Sequence, residues 1–179
     1  MTTQIENQDK FLVIKAGQGD AEAFTLLFDK YSSKIYRFIY YKVSSKELAE
    51  DFSSQCFLKI WEQISIGVKV KNFQALAYKI ARNLVIDYYR SREREELPLI
   101  YQENIESDVK FDPDKNLNLQ ALEKILQTLE SDIREIVVLR YIEDLSIKEI
   151  AKIVDKSSGN VRVIIHRAMK NLQQKNLKI

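Results

Sequence analysis

The chemistry this sequence has to offer lies first along one side of a single helical stretch. In NFQALAYKIARNLVIDYYRSRER, Asn72 to Arg94, the residues Lys79, Arg82, Asn83, Ile86 and Arg90 share one side at helical period, with Tyr78 and Tyr89 flanking them. Cations neutralise phosphates, tyrosine rings offer stacking surface to unpaired bases, and an amide reads a base edge. That chemistry suits single-stranded nucleic acid. An ordinary solvated helix side would also carry such residues, and the stretch alone does not separate the two.

A second set stands near the C-terminus. Ser158, Asn160 and Arg162 open a helical stretch, and Arg167 follows one to two turns on. From Lys156 onward come Arg162, Arg167, Lys170, Lys175 and Lys178, with no acidic side chain among them. Such residues bond phosphates through backbone N–H groups at a helix N-terminus and reach base edges in the major groove. A basic final helix that only faces water is the bland alternative.

Catalysis finds no residues of its own here. Cys56 is the only cysteine and His166 the only histidine, so no disulfide within the chain and no Cys/His zinc site can be assembled. No carboxylate pair, nucleophile–base arrangement or phosphate-cradling glycine loop presents itself, and neither enzyme activity nor a cofactor or metal is expected. The net charge of +2 is too small to decide a partner; the distribution of charge does that. No run of about eighteen apolar residues is present, and the start, MTTQIENQDK, lacks a basic-then-apolar signal. The expectation is a cytoplasmic protein without membrane insertion.

The elements that must position these residues are helices. With 45% hydrophobic and 30% charged residues but only four glycines and two prolines, long unbroken stretches point to an all-α chain. Phe11, Leu12 and Ile14 predict a short first helix that Gly17 and Gly19 end. Asp20 is placed to N-cap a second helix to about Lys42, its buried stripe being Phe24, Leu27, Phe28, Tyr31, Ile35, Phe38 and Ile39. Ser44 followed by Glu47 reads as a capping box opening a third helix, Ser45 to about Ile64. Leu48, Phe52, Cys56, Ile60 and Ile64 make its inward line, with Cys56 a small buried hydrophobe. Asp51, Ser54, Gln55, Leu58 and Glu62 lie off that line, bordered by Phe57 and Trp61. That strip is either a docking surface for a protein partner or, as far as Trp61 goes, simply core. ISIGVKVK, Ile64 to Lys71, reads as a loop that either forms a base pocket or merely connects. The helix after it should bury Phe73, Leu76, Ala77, Ile80, Leu84 and Tyr88.

After Arg94 the character changes. Glu95, Glu96, Glu103, Glu106, Asp108, Asp112 and Asp114 stand against Lys110, with Pro98 and Pro113 placed to block helix. Residues 95–116 read as an acidic flexible linker between two small helical domains, 1–94 and 117–179. In the second, Leu119, Leu122, Ile125, Leu126 and Leu129 form one stripe, and Ile133, Ile136, Val137 and Tyr141 another. Ser146 and Glu149 make a capping box for a helix to Val154. Asp155 to Ser157 supply a turn, and Ser157 or Ser158 caps a last helix to about Leu172. Short helix, tight turn and longer helix form the helix-turn-helix pattern, in which Val161, Ile165 and Ala168 face inward.

Taken together, these motifs resemble a bacterial RNA polymerase sigma factor of the extracytoplasmic-function kind (group 4). The resemblance covers nearly the whole chain apart from the linker and the extreme termini. GDAEAFTLLFDKY and AEDFSSQCFLKIW look like parts of that family's N-terminal domain, and FQALAYKIARNLVIDYYR like its promoter-melting segment. REIVVLRYIEDLSIKEIAKIVDKSSGNVRVIIHRAMKNL looks like its C-terminal domain. The resemblance implies core RNA polymerase as partner, through the clamp helices of the largest subunit and the flap of the second-largest, with Asp51, Gln55 and Leu58 at the clamp. It implies promoter DNA as the other partner. A base flipped from the minus-ten element would sit near Asn83, with Tyr78, Lys79, Arg82 and Arg90 around it. The minus-thirty-five element would meet Ser158, Asn160, Arg162 and Val163, with Arg167 on phosphate. An anti-sigma factor is expected from the family alone. The chain departs from the family pattern at Ser54 and Gln55, where Gln and an acid are usual, at Leu76, where Trp is usual, and at Val163 and Ile164. Val163 is suited to a thymine methyl. A stand-alone helix-turn-helix regulator and a sigma-like decoy remain the competing readings.

Overall fold

The computed structural model describes residues 2–95 and 117–176, with side chains described for 7–92 and 121–174. Among these residues every regular element is helical, and the chain divides into two compact units, Met1–Glu103 and Asn104–Ile179. The expected all-α class is what the fold has. The acidic linker lies outside the described residues over 96–116, as do the side chains of Arg94, Leu119 and Lys175 and all of Lys178.

The first unit comprises α1 (Thr2–Gly17), α2 (Ala21–Val43), α3 (Lys46–Ser65) and α4 (Phe73–Glu95). The central helix is α2, which packs against the other three. Asp20 caps it as its type and place predict, accepting the Ala23 N–H at 3.0 Å. Leu27, Tyr31, Ile35, Phe38 and Ile39 are buried, Phe24 is half-buried, and Phe28 stays 41% exposed with its ring edge-on to Phe57. In α3 the line Phe52, Cys56, Ile60 and Ile64 is buried, with Leu48 half-buried at its start.

Two features differ from the sequence pattern, each for a physical reason. The first helix is longer than Phe11–Ile14, and its inward residues are Asp9, Val13 and Ala16. Phe11 and Ile14 lie one turn apart on the side opposite that line and face out, with Leu12 half-buried between them. Asp9 takes a core position because it accepts bonds from the Tyr31 hydroxyl and the Lys30 ammonium. The third helix begins one residue later than Ser44 and Glu47 imply. Ser44 ends α2 in the left-handed region (φ 55°), its N–H donating to the Tyr40 carbonyl at 2.8 Å. Ser45 is the N-cap of α3 and accepts the Leu48 N–H at 3.3 Å. Two adjacent serines thus close one helix and open the next.

The second unit comprises α5 (Leu117–Gln127), α6 (Ser131–Val137), a π-helical turn (Val138–Ile142), α7 (Ile147–Val154) and α8 (Ser158–Asn176). The π turn changes one expectation. Tyr141 does not continue the Ile136–Val137 stripe and is 55% exposed. In the π turn the Glu143 N–H reaches back five residues to the Val138 carbonyl, which adds a residue to the turn and rotates Tyr141 outward. Val138, Leu139 and Leu145 fill the core instead.

The capping box of α7 forms as its sequence predicts. Ser146 Oγ accepts the Glu149 N–H at 3.3 Å, and Glu149 Oε2 accepts the Ser146 N–H at 2.8 Å. Ser146→Ala should therefore cost the second unit about 0.5–2 kcal/mol, read as a lower urea midpoint of its helical signal. An unchanged midpoint would mean the cap contributes nothing net.

Candidate nucleic-acid interface

The buried side of α4 decides which of its residues can meet a ligand. Phe73, Ala77, Tyr78, Ile80, Ala81 and Val85 are buried, while Leu76, Leu84 and Tyr88 are only half-buried. The inward side is thus centred on Ala77, Ala81 and Val85, rotated from the stripe read in the sequence. That rotation carries Tyr78 into the core, fully buried and edge-on to Phe38 with ring centroids 5.3 Å apart. Tyr78 is a packing residue and presents no ring face to a base. Tyr89 is half-buried, and its hydroxyl donates to the Lys42 carbonyl at 3.3 Å.

What α4 turns outward is a row of polar and charged residues. Lys79, Asn83, Asp87 and Arg90 are exposed, and Arg82 and Ile86 are half-buried beside them. Asn72 opens the helix by accepting the Ala75 N–H at 2.8 Å. At the far end Arg92 sits over the Tyr88 ring, 5.9 Å from its centroid, and Tyr88 is edge-on to Phe52. Just before α4, Gly67 takes φ 82° and the loop holds Ile66 78% and Val68 45% exposed. These exposed branched apolar residues, just ahead of Lys69, Lys71 and α4, form a surface in the loop that the sequence reads as a base pocket or a connection. Their signal was the isolated glycine amid β-branched neighbours.

On α3 the strip off the buried line is open. Asp51, Ser54, Leu58 and Glu62 are exposed and Gln55 is half-buried. Gln55 Nε2 donates to Asp51 Oδ2 at 2.8 Å, so the two are oriented as a pair. Leu58 stands one turn beyond Gln55, 57% exposed. Trp61 is half-buried against Phe24, ring centroids 4.9 Å apart, which makes it part core and part rim. Cys56 is core: its thiol donates to the Ala77 carbonyl at 3.4 Å, and burial pushes it up to about 12, so it stays protonated near neutrality.

In the second unit α8 packs against α6 and α7 through buried Val161 and Ala168, with Ile165 half-buried beside them. Asp155 ends α7 in the left-handed region (φ 55°). Ser157 is the cap of α8, its Oγ accepting the Asn160 N–H at 3.1 Å. Ser158 is the first helical residue and half-buried, whereas Asn160, Arg162, Val163, His166, Arg167 and Lys170 are exposed. Ile164 is half-buried and lies beside the core. A helix held by one side in a turn-linked pair, with cations and an amide on the other, has the form of a helix-turn-helix. Two other arginines serve the fold: Arg134 donates to the Leu129 carbonyl at 3.1 Å and Arg140 to the Leu145 carbonyl at 2.8 Å.

Among the described residues no group of three His, Cys, Asp or Glu side chains could hold a metal ion. Among them, too, no helix is long and apolar enough to cross a membrane.

Comparison with known proteins bears on both units. Residues 27–95 match the family Sigma-70 region 2, and residues 119–172 match Sigma-70, region 4. The ECF RNA polymerase sigma factor BldN of Streptomyces coelicolor is 34% identical over 167 residues, 90% of this chain and 63% of BldN, so the chain spans less than two thirds of that relative. The ECF RNA polymerase sigma factor SigW of Bacillus subtilis is 28% identical over 169 residues, 88% of this chain and 90% of SigW. In fold the chain resembles the sigma factor RpoE of Bartonella quintana, solved in complex with the anti-sigma factor NepR. There the TM-score is 0.71 at 24% identity, covering 84% of this chain and 94% of that one.

Proposed function

Because this chain belongs to the extracytoplasmic-function sigma factors of RNA polymerase, we propose that it binds core polymerase and directs it to specific promoters. The unit with α4 would open the minus-ten element, and the helix-turn-helix would read the minus-thirty-five element. One observation carries this: each unit turns an exposed, cation-bearing row outward from a helix whose other side is locked in a core. Binding energy does the work, without bond chemistry, in the cytoplasm where polymerase and chromosome meet.

The roles follow the exposed residues. Lys79 and Arg90 attract phosphate, Asn83 reads a flipped base, and Arg82 supports that row from its half-buried place. Asn160, Arg162 and Val163 face base edges, Ser158 offers its backbone N–H to phosphate at the helix start, and Arg167 holds phosphate. Asp51, Gln55 and Leu58 dock on the clamp of the largest subunit, and the second unit meets the flap of the second-largest. An anti-sigma factor regulates the chain, as NepR pairs with the related RpoE.

The testing experiment is transcription in vitro with core polymerase on templates carrying random upstream sequence. Focused starts behind a shared pair of elements are expected. A folded chain that does not bind core is instead a stand-alone regulator, and one that binds core without starts is a decoy. Leu58→Asp should weaken core binding at least tenfold, as loss of an apolar anchor at an interface costs about 2 kcal/mol or more. Its helical signal should not change, because the side chain is 57% exposed. Unchanged affinity would move the docking surface off α3.

A further inference from the structure

The first helix reaches both ends of the loop between α3 and α4, directly at one end and through Tyr31 at the other. It precedes residues 27–95 that match Sigma-70 region 2, and it has no part in the proposed roles. Its inward carboxylate, Asp9, is 5% exposed and accepts bonds from the Tyr31 hydroxyl and the Lys30 ammonium. Tyr31 is itself buried, and its ring lies against Phe73 with centroids 5.2 Å apart. Phe73 is the first residue of α4, next to the Asn72 cap. At the other end of α1, Gly17 lies against the last turn of α3. A methyl group built on it would stand 3.5 Å from the Ile64 carbonyl oxygen and 3.6 Å from Ile64 Cγ2. That same carbonyl accepts the Gly67 N–H at 3.0 Å, closing the turn beside which Ile66 and Val68 stand exposed. A buried ion pair seldom stabilises more than apolar packing of the same volume, so stability alone does not account for Asp9. A directed bond to the tyrosine hydroxyl fixes where that ring sits, which an apolar contact does not.

We propose that α1 is a brace that sets the loop 66–72 for capture of the opened minus-ten strand, with Asp9 and Gly17 as its positioning residues. At 1.5 Å rise per residue the two contacts stand about 12 Å apart along α1, which fixes both its slide and its tilt. A branched side chain at 17 would press on the Ile64 carbonyl and open the Gly67 turn. The Asp9–Tyr31 bond holds the ring on which Phe73, and with it the start of α4, is seated. A site for a flipped base needs its groups within about 0.5 Å of place. A loop with Ile66 78% exposed has too little packing of its own to supply that. The brace rests on the proposed opening of the minus-ten element by the unit with α4.

The test uses holoenzyme reconstituted from the full chain and core polymerase. It reads affinity for a single-stranded oligonucleotide carrying the minus-ten sequence recovered from the random-template transcription. Tyr31→Phe keeps the ring and removes the hydroxyl. It should bind that strand about two- to tenfold less tightly, the range of one net hydrogen bond. Gly17→Val should fall by a similar factor, with faster amide exchange at Gly67 and Val68. Gly17→Ala, whose methyl makes an ordinary contact, should bind as wild type. Core affinity should stay unchanged in all three, because the outward strip of α3 is untouched. Wild-type strand binding by Tyr31→Phe or by Gly17→Val overturns the brace. So does a parallel loss of core affinity, which would make α1 a support of the whole unit and nothing more. A variant carrying Ile66→Ser, Val68→Ser and Asn83→Ala separates the two levels. If it is weakened while the α1 tests are silent, only the brace is wrong; if it binds as wild type, the capture reading falls and the brace with it.

Discussion

Tyr78→Ala should sharply lower the stability of the first unit, whereas Tyr78→Phe should leave promoter opening near the wild-type level. Tyr78 is fully buried, one of the largest side chains of the core, packed edge-on to Phe38 of α2. Truncating such an aromatic costs about 3–5 kcal/mol, a large part of the 5–15 kcal/mol that a domain typically has. The phenylalanine keeps the ring and loses at most a hydrogen bond, about 0.5–1.5 kcal/mol. Urea unfolding followed by circular dichroism reads the first effect, and permanganate reactivity of promoter thymines reads the second. A stable Tyr78→Ala that binds promoter but cannot open it would return the ring to the DNA.

Asn83→Ala has the opposite signature. Its side chain is exposed, so stability should move by less than about 0.5 kcal/mol. Extracting a base costs a few kcal/mol of pairing and stacking, and loss of a base-reading amide forfeits about 1–3 kcal/mol of the return. Open-complex formation should fall about ten- to a hundredfold on that basis, while binding to closed duplex in the cold changes little. Fluorescence of 2-aminopurine in the minus-ten element separates the two steps. If both fall together, Asn83 acts in docking and not in opening. If neither falls, the base is held elsewhere, with exposed Ile66 and Val68 the next residues to test.

Much of this architecture was legible because its determinants are local. A single carboxylate at Asp20 and the Ser146–Glu149 pair specify helix starts through atoms three residues apart, and the apolar lines of α2 and α3 follow helical period. The misreadings share a cause: they were decided by partners distant in sequence or by a departure from 3.6 residues per turn. Tyr78 stands at the border of two faces, and only Phe38 of α2 decides that it goes in. Phe11 and Ile14 supply the large residues of the first helix, but its inward line includes Asp9, held by Tyr31 and Lys30 of α2. Tyr141 fits the α6 stripe until one extra residue in the π turn rotates it out. Ser44 reads as the cap of the third helix, but its left-handed backbone closes α2 and leaves that place to Ser45. The exposure of Lys79, Asn83, Arg90, Asn160, Arg162 and Arg167 was easier to read, since charged and amide groups on a helix seldom go to the core.

The two-sidedness of α4 has a consequence for how such a chain can diverge. Ala77, Ala81 and Val85 face the core while Lys79, Asn83 and Arg90 face out along the same helix. One inserted or deleted residue between Ala81 and Asn83 would swing everything downstream by about 100°. The outward row would then turn toward the core as Val85 left it. Descendants of this sequence can exchange side chains along α4 one at a time, but its length acts as a fixed ruler. Indels should accumulate in the segments between helices and leave the span from Phe73 to Arg90 uncut.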